Sequence, residues 1–598
     1  MTDEEITPRC ELTPERSPAR TALAVAGGAV VLGVLWAVLQ LWGLGKMPLH
    51  THGEAREGLV VWQITHHGGW ILPLRDGPTG AEVPSKPPLF HWLGALVAIA
   101  HGRTDEWSIR LPSALLSLGG ILTTYAAGVA LWGPASGLMG ATVVMTSFEW
   151  QRAATGARVD MALSFGLLVA FFSYLFVARS GGRSRWLVPF YGGMAFAVLA
   201  KGPVGVVLPG LLIAALCALQ RDVSPLRRLR LVRGLIAVAL IAGFWYVLAL
   251  IEGGFVFFGK QVLNENVYRM FSSSEYEGGH RHGVVYLFLT LLAGFLPWTL
   301  FVPGPAIALW RARRRLSASD PRVYLLLWIA VVFGLYALAV SKRSVYLLAL
   351  YPALGLLVGW WWAAKSTDPT VEESDQPRWW RLALRVAALA AAGIVALVLA
   401  ATVVEWLGLP LIEWIAGLFS PEARLYADWV AQALGGHALA SSALLAGAGA
   451  ALWWLARALR EQAPGIDRRR RWRAVFVALV ATLAASDLLA QQILLPEIAV
   501  HRTYRQLMPA VRRIVGPEND RLSFYRTFDY VAAFYWGGRI NNYQGELTAD
   551  APPYLLMSRQ QWQKLPADDR ARLELVPLPA GDETEGDDRL VLVHKRVA

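Results

Sequence analysis

A chain of 598 residues that is 55% hydrophobic and 17% charged, with mean hydropathy +0.40, is too apolar for a soluble protein, where about 25% of residues are charged. The net charge of +12 does not point to nucleic acid, because the basic residues stand in short clusters between apolar runs, as in the cytoplasmic loops of membrane proteins. Cys10 lies in the charged N-terminal tail and Cys217 in an apolar stretch, which argues against a structural disulfide.

Residues 1–20 are polar and Pro-containing, with the composition of a disordered tail. A spanning helix needs about 20 apolar residues, and that ruler gives about thirteen segments. They lie near 21–45, 107–132, 135–149, 159–179, 186–200, 203–220, 232–251, 284–310, 323–340, 344–364, 382–406, 435–456 and 474–494. The first has no small-residue cleavage site behind it and reads as an anchor. With the N-terminus in the cytoplasm, the basic clusters at 179–185, 221–233, 311–322, 365–385 and 468–471 all fall on the cytoplasmic side. The opposite side receives the 46–106 loop, the turns at 150–158, 201–202 and 341–343, the 252–283 loop, and the tail after 495.

The loop at 46–106 separates two segments that want lipid, and it is rich in ionisable side chains and Trp. GEAREGLVVWQITHHGGW predicts a short amphipathic helix ended at Gly68–Gly69. PSKPPLFHWLGALVAIA predicts a second interfacial helix opened by Pro87 and Pro88. From about 500 the composition shifts. TYRQLMPAVRRIV, DYVAAFYWGG and SRQQWQKL read as helices, and RLSFYRT, NYQGELT, PYLLMS, RLELVPL and RLVLVHK as short strands. The expected organisation is an all-α polytopic membrane protein with a cytoplasmic tail (1–20), a membrane domain (21–495) and a small external α/β domain (496–598). The membrane domain carries external loops at 46–106 and 252–283.

Ionisable residues gather on the external side: Glu54, Arg56, Lys86, Arg152, Arg158, Asp160, Lys201, Arg269, Lys342 and Arg343. Lys and Arg neutralise phosphate oxygens and stabilise a leaving phosphate, and a carboxylate can take a proton from an attacking hydroxyl. A pocket for a phosphate-bearing molecule follows. Each residue also has a plainer use. Glu54 and Arg56, two apart, diverge on a helix and could serve only helix entry. Asp160 could complement a helix dipole. Lys86 could snorkel, although the following Pro-Pro holds its backbone extended. Lys342 and Arg343 could meet headgroups. Lys201, in a turn where positive-inside logic disfavours a cation, favours function. The histidines at 50, 52, 66, 67, 91, 280 and 282 match no zinc spacing and read as surface or interfacial residues.

GEAREG, SKPPLFHWLGAL, IRLPSAL, GARVDMAL, AKGPVGVVLPG, LPWTLFVP and SKRSVYLLALYP occur in this order, as they do in bacterial polyprenyl-phosphate-sugar glycosyltransferases. The chain resembles the group that contains the lipid A aminoarabinose transferase and, more distantly, the protein O-mannosyltransferases. The likeness covers about residues 25–365.

The resemblance implies a GT-C fold with about thirteen spans, two interfacial helices in the first periplasmic loop, and a periplasmic C-terminal domain in the bacterial inner membrane. It implies a polyprenyl-phosphate (undecaprenyl-phosphate) sugar donor and a lipid, glycan or protein acceptor. The family begins its first loop with Asp-Glu and then Arg. Here Gly53 stands in place of that Asp, which leaves its role to Glu54. The second acid corresponds to Asp160 and the phosphate-facing lysine to Lys86. Lys201, Arg269, Lys342 and Tyr346 fall on family-like positions. The expected catalytic carboxylates are thus Glu54 and Asp160. Donor-phosphate contacts are expected from Arg56, Lys86, Lys201, Arg269, Lys342 and Tyr346, and acceptor contacts from Arg158, His91 and Arg343. No cofactor is fixed, and a divalent metal ion stays open. Two rival readings are a polytopic transporter or lipid flippase without transferase activity, and a non-catalytic assembly factor on the same fold. The charges at one rim and the lack of internal symmetry weigh against the transporter.

Overall fold

The computed structural model describes residues 18–180, 184–271, 282–367, 378–407, 421–459, 468–516, 518–548, 550–578 and 589–596. Among them nine helices are long and apolar enough to cross a membrane: Pro18–Leu41, Glu106–Trp132, Val159–Arg179, Leu231–Phe271, Pro321–Leu338, Ser344–Ala364, Leu384–Val404, Ala438–Ala458 and Arg470–Val500. The segments expected at 135–149, 186–200 and 203–220 are also helical, but only 12, 15 and 17 residues long: Pro134–Met145, Leu187–Lys201 and Val204–Gln220. Small residues let the first of these sit close to a neighbour. A Cβ on Gly359 would stand 2.4 Å from the Gly140 nitrogen, the close backbone approach typical of membrane helix contacts.

Two expectations need correction. The stretch 252–283 is not all loop. The helix expected to end at 251 continues to Phe271 in a 41-residue element, passing through a non-helical residue at Gly254, φ +53. Glycine tolerates that backbone, and the following sequence keeps helical spacing of polar groups. Residues 272–281, with His280, lie outside the described residues, as do Cys10 and the 1–17 part of the tail. The segment at 284–310 is not one straight rod either. Val284–Gly294 and Trp298–Ala312 meet at 94°, with Pro297 at the break, where helical hydrogen bonding is interrupted. Part of the connection expected at 150–158 is a short helix, Phe148–Ala154.

Both first-loop helices form. His52–His67 ends on Gly68 at φ +76, and Leu89–His101 starts directly after Pro88. Between them lies a two-stranded hairpin that periodicity did not suggest, β1 (Arg75–Gly77) and β2 (Gly80–Glu82). The C-terminal region is the expected α/β unit. Its strands β3 (Leu522–Tyr525), β4 (Asn541–Tyr543), β5 (Tyr554–Ser558), β6 (Leu573–Leu575) and β7 (Leu590–Lys595) form one sheet in the order β4-β3-β5-β7-β6. β3 runs parallel to β4 and β5, and β7 antiparallel to β5 and β6.

This unit docks on the first loop. Tyr535 Oη accepts from the Leu49 nitrogen at 2.7 Å and donates to Glu106 at 2.7 Å. Asn542 donates to the Pro78 carbonyl, and Asp529 pairs with His52. The first loop is thereby clamped between the spans and the C-terminal unit, which fixes the direction in which its charged side chains point.

Candidate active site

Glu54 lies in the first turn of the His52–His67 helix and is 3% exposed. Arg110, from the Glu106–Trp132 helix, grips both its oxygens, Nε to Oε1 at 3.0 Å and Nη2 to Oε2 at 3.2 Å. The Ala157 nitrogen adds a bond of 2.8 Å to Oε1. Arg110 Nη1 donates to the Leu44 and Met47 carbonyls. Burial alone would raise the Glu54 carboxyl, but the Arg110 guanidinium and its hydrogen bonds outweigh burial and hold it at about 2. Glu54 is therefore ionised, and both of its oxygens accept hydrogen bonds.

Arg56 points elsewhere, as two residues' separation on a helix requires. It forks onto Glu57 at 3.0 and 3.2 Å. The other Glu57 oxygen meets His91 Nε2 at 2.8 Å, and His91 is fully buried. Burial opposes the Glu57 charge, yet Arg56 and His91 keep its carboxyl well below the usual range. His91 thus packs behind the loop helix.

A second chain of contacts joins five separate elements. Lys86 Nζ, in the Pro-rich stretch, donates to Glu265 Oε2 at 2.5 Å. The same oxygen accepts from Arg269 Nη1 one helical turn on, and Arg269 Nη2 donates to Tyr346 Oη. Lys201 Nζ lies 4.1 Å from the centre of the Tyr346 ring and pairs with Asp160. Lys86, Glu265, Arg269, Tyr346, Lys201 and Asp160 so form one run, with Asp160 in the first turn and Lys201 in the last turn of their helices. Burial, followed by the Arg269 charge and assisted by that of Lys201, pushes the Lys86 ammonium down to about 7.

Arg158 stands between the two groups, near enough to act electrostatically on both Glu54 and Asp160. Arg152 forks onto Glu149 and reaches Ser344 Oγ at 3.2 Å, and Arg343 flanks that Ser344 turn. Lys342 is brought close without joining: its neighbour Ser341 bonds the Arg269 carbonyl, but its own ammonium donates to the Ala339 carbonyl.

Of the expected residues, Lys86, Lys201, Arg269, Tyr346 and Asp160 come together directly, with Arg158 and Glu54 alongside. Arg56 and His91 are tied to Glu57, and Lys342 turns into its own loop. Reasoning from sequence missed Arg110, Glu57 and Glu265. Arg110 sat in the IRLPSAL motif and Glu57 in GEAREG, while Glu265 is four residues before Arg269 in a stretch read as loop. Among the described residues no three His, Cys, Asp or Glu side chains come together as metal ligands would, and the Glu54 oxygens are already taken by Arg110 and Ala157.

A family model described as dolichyl-phosphate-mannose-protein mannosyltransferase matches residues 85–246, which include Lys86, Arg110, Arg158, Asp160 and Lys201. An undecaprenyl phosphate-alpha-4-amino-4-deoxy-L-arabinose arabinosyl transferase of Pectobacterium atrosepticum is 24% identical over 338 residues, 56% of this chain and 58% of that one. A Pseudomonas fluorescens protein of the same description is 26% identical over 366 residues, 58% of this chain and 61% of that one. The matches therefore span about three fifths of those relatives' length. The crystal structure of ArnT from Cupriavidus metallidurans bound to undecaprenyl phosphate superposes with TM-score 0.67 at 20% identity, covering 97% of this chain and 98% of that one. By sequence over little more than half its length, and by fold over nearly all of it, the chain is similar to these membrane sugar transferases, and its fold is of the GT-C type.

Proposed function

We propose that the chain is a glycosyltransferase of the bacterial inner membrane. It moves a sugar from a polyprenyl-phosphate donor, undecaprenyl phosphate in its relatives' names, to a lipid, glycan or protein acceptor. The observation that carries this is the run from Lys86 to Asp160, in which three cations and a tyrosine hydroxyl converge from distant elements beside two carboxylates, Glu265 and Asp160. Such a set binds a phosphate and stabilises the charge that grows on it as it leaves.

In this reading the lipid phosphate displaces Glu265 from Lys86 and Arg269, and Tyr346 supplies a further hydrogen bond. An acceptor oxygen attacks the anomeric carbon as the bond to the phosphate oxygen breaks, with inversion at that carbon. Where the acceptor is a hydroxyl, its proton goes to Asp160, the carboxylate with a free oxygen at the rim. Glu54 is already engaged at both oxygens by Arg110 and the Ala157 nitrogen. It acts as a positioning residue, holding the 157–160 turn through the Ala157 nitrogen.

The nine long helices, the bent pair and the three shorter helices make thirteen crossings in this reading. The basic clusters then lie in the cytoplasm, and the site and the C-terminal unit face the periplasm. A transporter reading has no observation in its favour: the named relatives above are transferases, and the paired charges sit at helix ends. The test is transfer of labelled sugar from a synthetic polyprenyl-phosphate donor by purified protein, with bound anomer and released lipid phosphate both identified. Absence of any transfer or hydrolysis of such donors defeats the proposal.

A further inference from the structure

Arg158 carries an unused donor. Its backbone is tied to Ser113 at both ends, yet its Nε is buried and has no acceptor. Neither carboxylate nearby is bonded to it, since Glu54 is held by Arg110 and Ala157, and Asp160 by Lys201. In front of it is a gap. A side chain at position 53 would have its Cβ 3.5 Å from Arg158 Nη1 and would touch nothing else within 4 Å. On the other flank, a Cβ on Gly156 would lie 3.2 Å from Glu54 Oε1 and 3.5 Å from Arg158 Nε. A buried guanidinium nitrogen without an acceptor marks an unused donor, and glycine at 53 and 156 places no side chain against Nη1 on one flank or Nε on the other.

We propose that Gly53 holds open, in front of Arg158, a receptor for an oxyanion carried by one of the reactants, a phosphate or carboxylate. This deepens the transferase reading above and rests on it. Arg158 acts electrostatically on both Glu54 and Asp160, so an anion in front of it sits beside the Lys86-to-Asp160 run. The oxyanion is either the donor's own phosphate or an anionic group on the acceptor. An acidic side chain at 53 would fill the receptor from within, because its carboxylate reaches the same guanidinium. It would also suit the first turn of the helix, where negative charge is favoured.

The experiment measures binding of undecaprenyl phosphate, and separately of glucosamine 1-phosphate as a tail-free phosphate, to the full-length protein in detergent. The variants are Arg158→Gln, Gly53→Asp and Gly53→Asn. Arg158→Gln and Gly53→Asp are expected to weaken one of the two probes roughly tenfold or more, and Gly53→Asn to weaken it less than Gly53→Asp. Loss of undecaprenyl phosphate binding assigns the receptor to the donor; loss of glucosamine 1-phosphate binding assigns it to the acceptor. Without ligand, Gly53→Asp is expected to melt no lower than the parent, so its loss of binding is not a folding defect. Unchanged binding of both probes in Arg158→Gln and Gly53→Asp, or an equal loss in Gly53→Asn, overturns the receptor while leaving the transferase reading standing. A parent protein that binds neither probe overturns both.

Discussion

The Glu54–Arg110 pair and the run from Lys86 to Asp160 use the same kinds of side chain at the same end of the helices, and they are built to opposite purposes. In the first, Arg110 donates from Nε, Nη1 and Nη2, and both oxygens of Glu54 accept hydrogen bonds; the side chains are 0% and 4% exposed. In the second, Lys86 and Lys201 each have a single carboxylate partner, and the side chains keep 10–17% of their surface. A saturated buried pair resists exchange, since removing either partner strands a charge. An under-filled pair near the surface can trade its partner for a ligand oxygen. The difference separates structural from reactive charge more sharply than residue type does.

That contrast can be broken or sharpened by substitution. The largest effect is expected from Asp160→Asn, which should lower turnover about 10²- to 10⁴-fold if the acceptor is a hydroxyl, in a protein that still melts cooperatively. Turnover at the parent level would remove Asp160 as the base. Next, Arg110→Met should destabilise the fold by about 3–5 kcal/mol, read as a lower denaturant or protease midpoint, because Glu54 is left buried and alone. A midpoint equal to the parent's would mean that the pair is not the anchor described here.

A smaller effect concerns pH. Burial and the Arg269 charge push the Lys86 ammonium down to about 7, and a bound phosphate raises it. Affinity that depends on this proton is full below 7 and falls as pH rises above it, by at most about tenfold per unit for one proton. Calorimetry should find proton uptake on binding undecaprenyl phosphate at pH 8, and Lys86→Arg should flatten the profile. A flat profile in the parent contradicts the assignment. The smallest effect is expected from Lys342→Met, less than about twofold in undecaprenyl phosphate affinity, because that ammonium faces the Ala339 carbonyl.

Nine of the expected spans and the two first-loop helices were legible because hydropathy, Gly68 and the Pro87–Pro88 entry are local signals. The C-terminal strands were legible from short alternating runs bounded by turns. The continuation of the 231–271 helix was hidden by polar residues at 264–266, and the 94° bend after Gly294 depends on neighbouring helices that sequence does not reveal. In the site the same division holds. Lys86, Asp160, Lys201 and Arg269 stood out as charges at the ends of apolar runs. Their assignment as free phosphate ligands missed Glu265, which only the long helix brings under Lys86. Arg110 is 56 residues from Glu54, and pairing over that distance is set by packing.

The central claim is that the run from Lys86 to Asp160 holds a lipid phosphate. Equilibrium binding of undecaprenyl phosphate to the parent and to Lys86→Met with Arg269→Met tests it most directly. The account predicts saturable one-to-one binding that the double substitution abolishes in a protein that still melts cooperatively. Equal binding by both would contradict it.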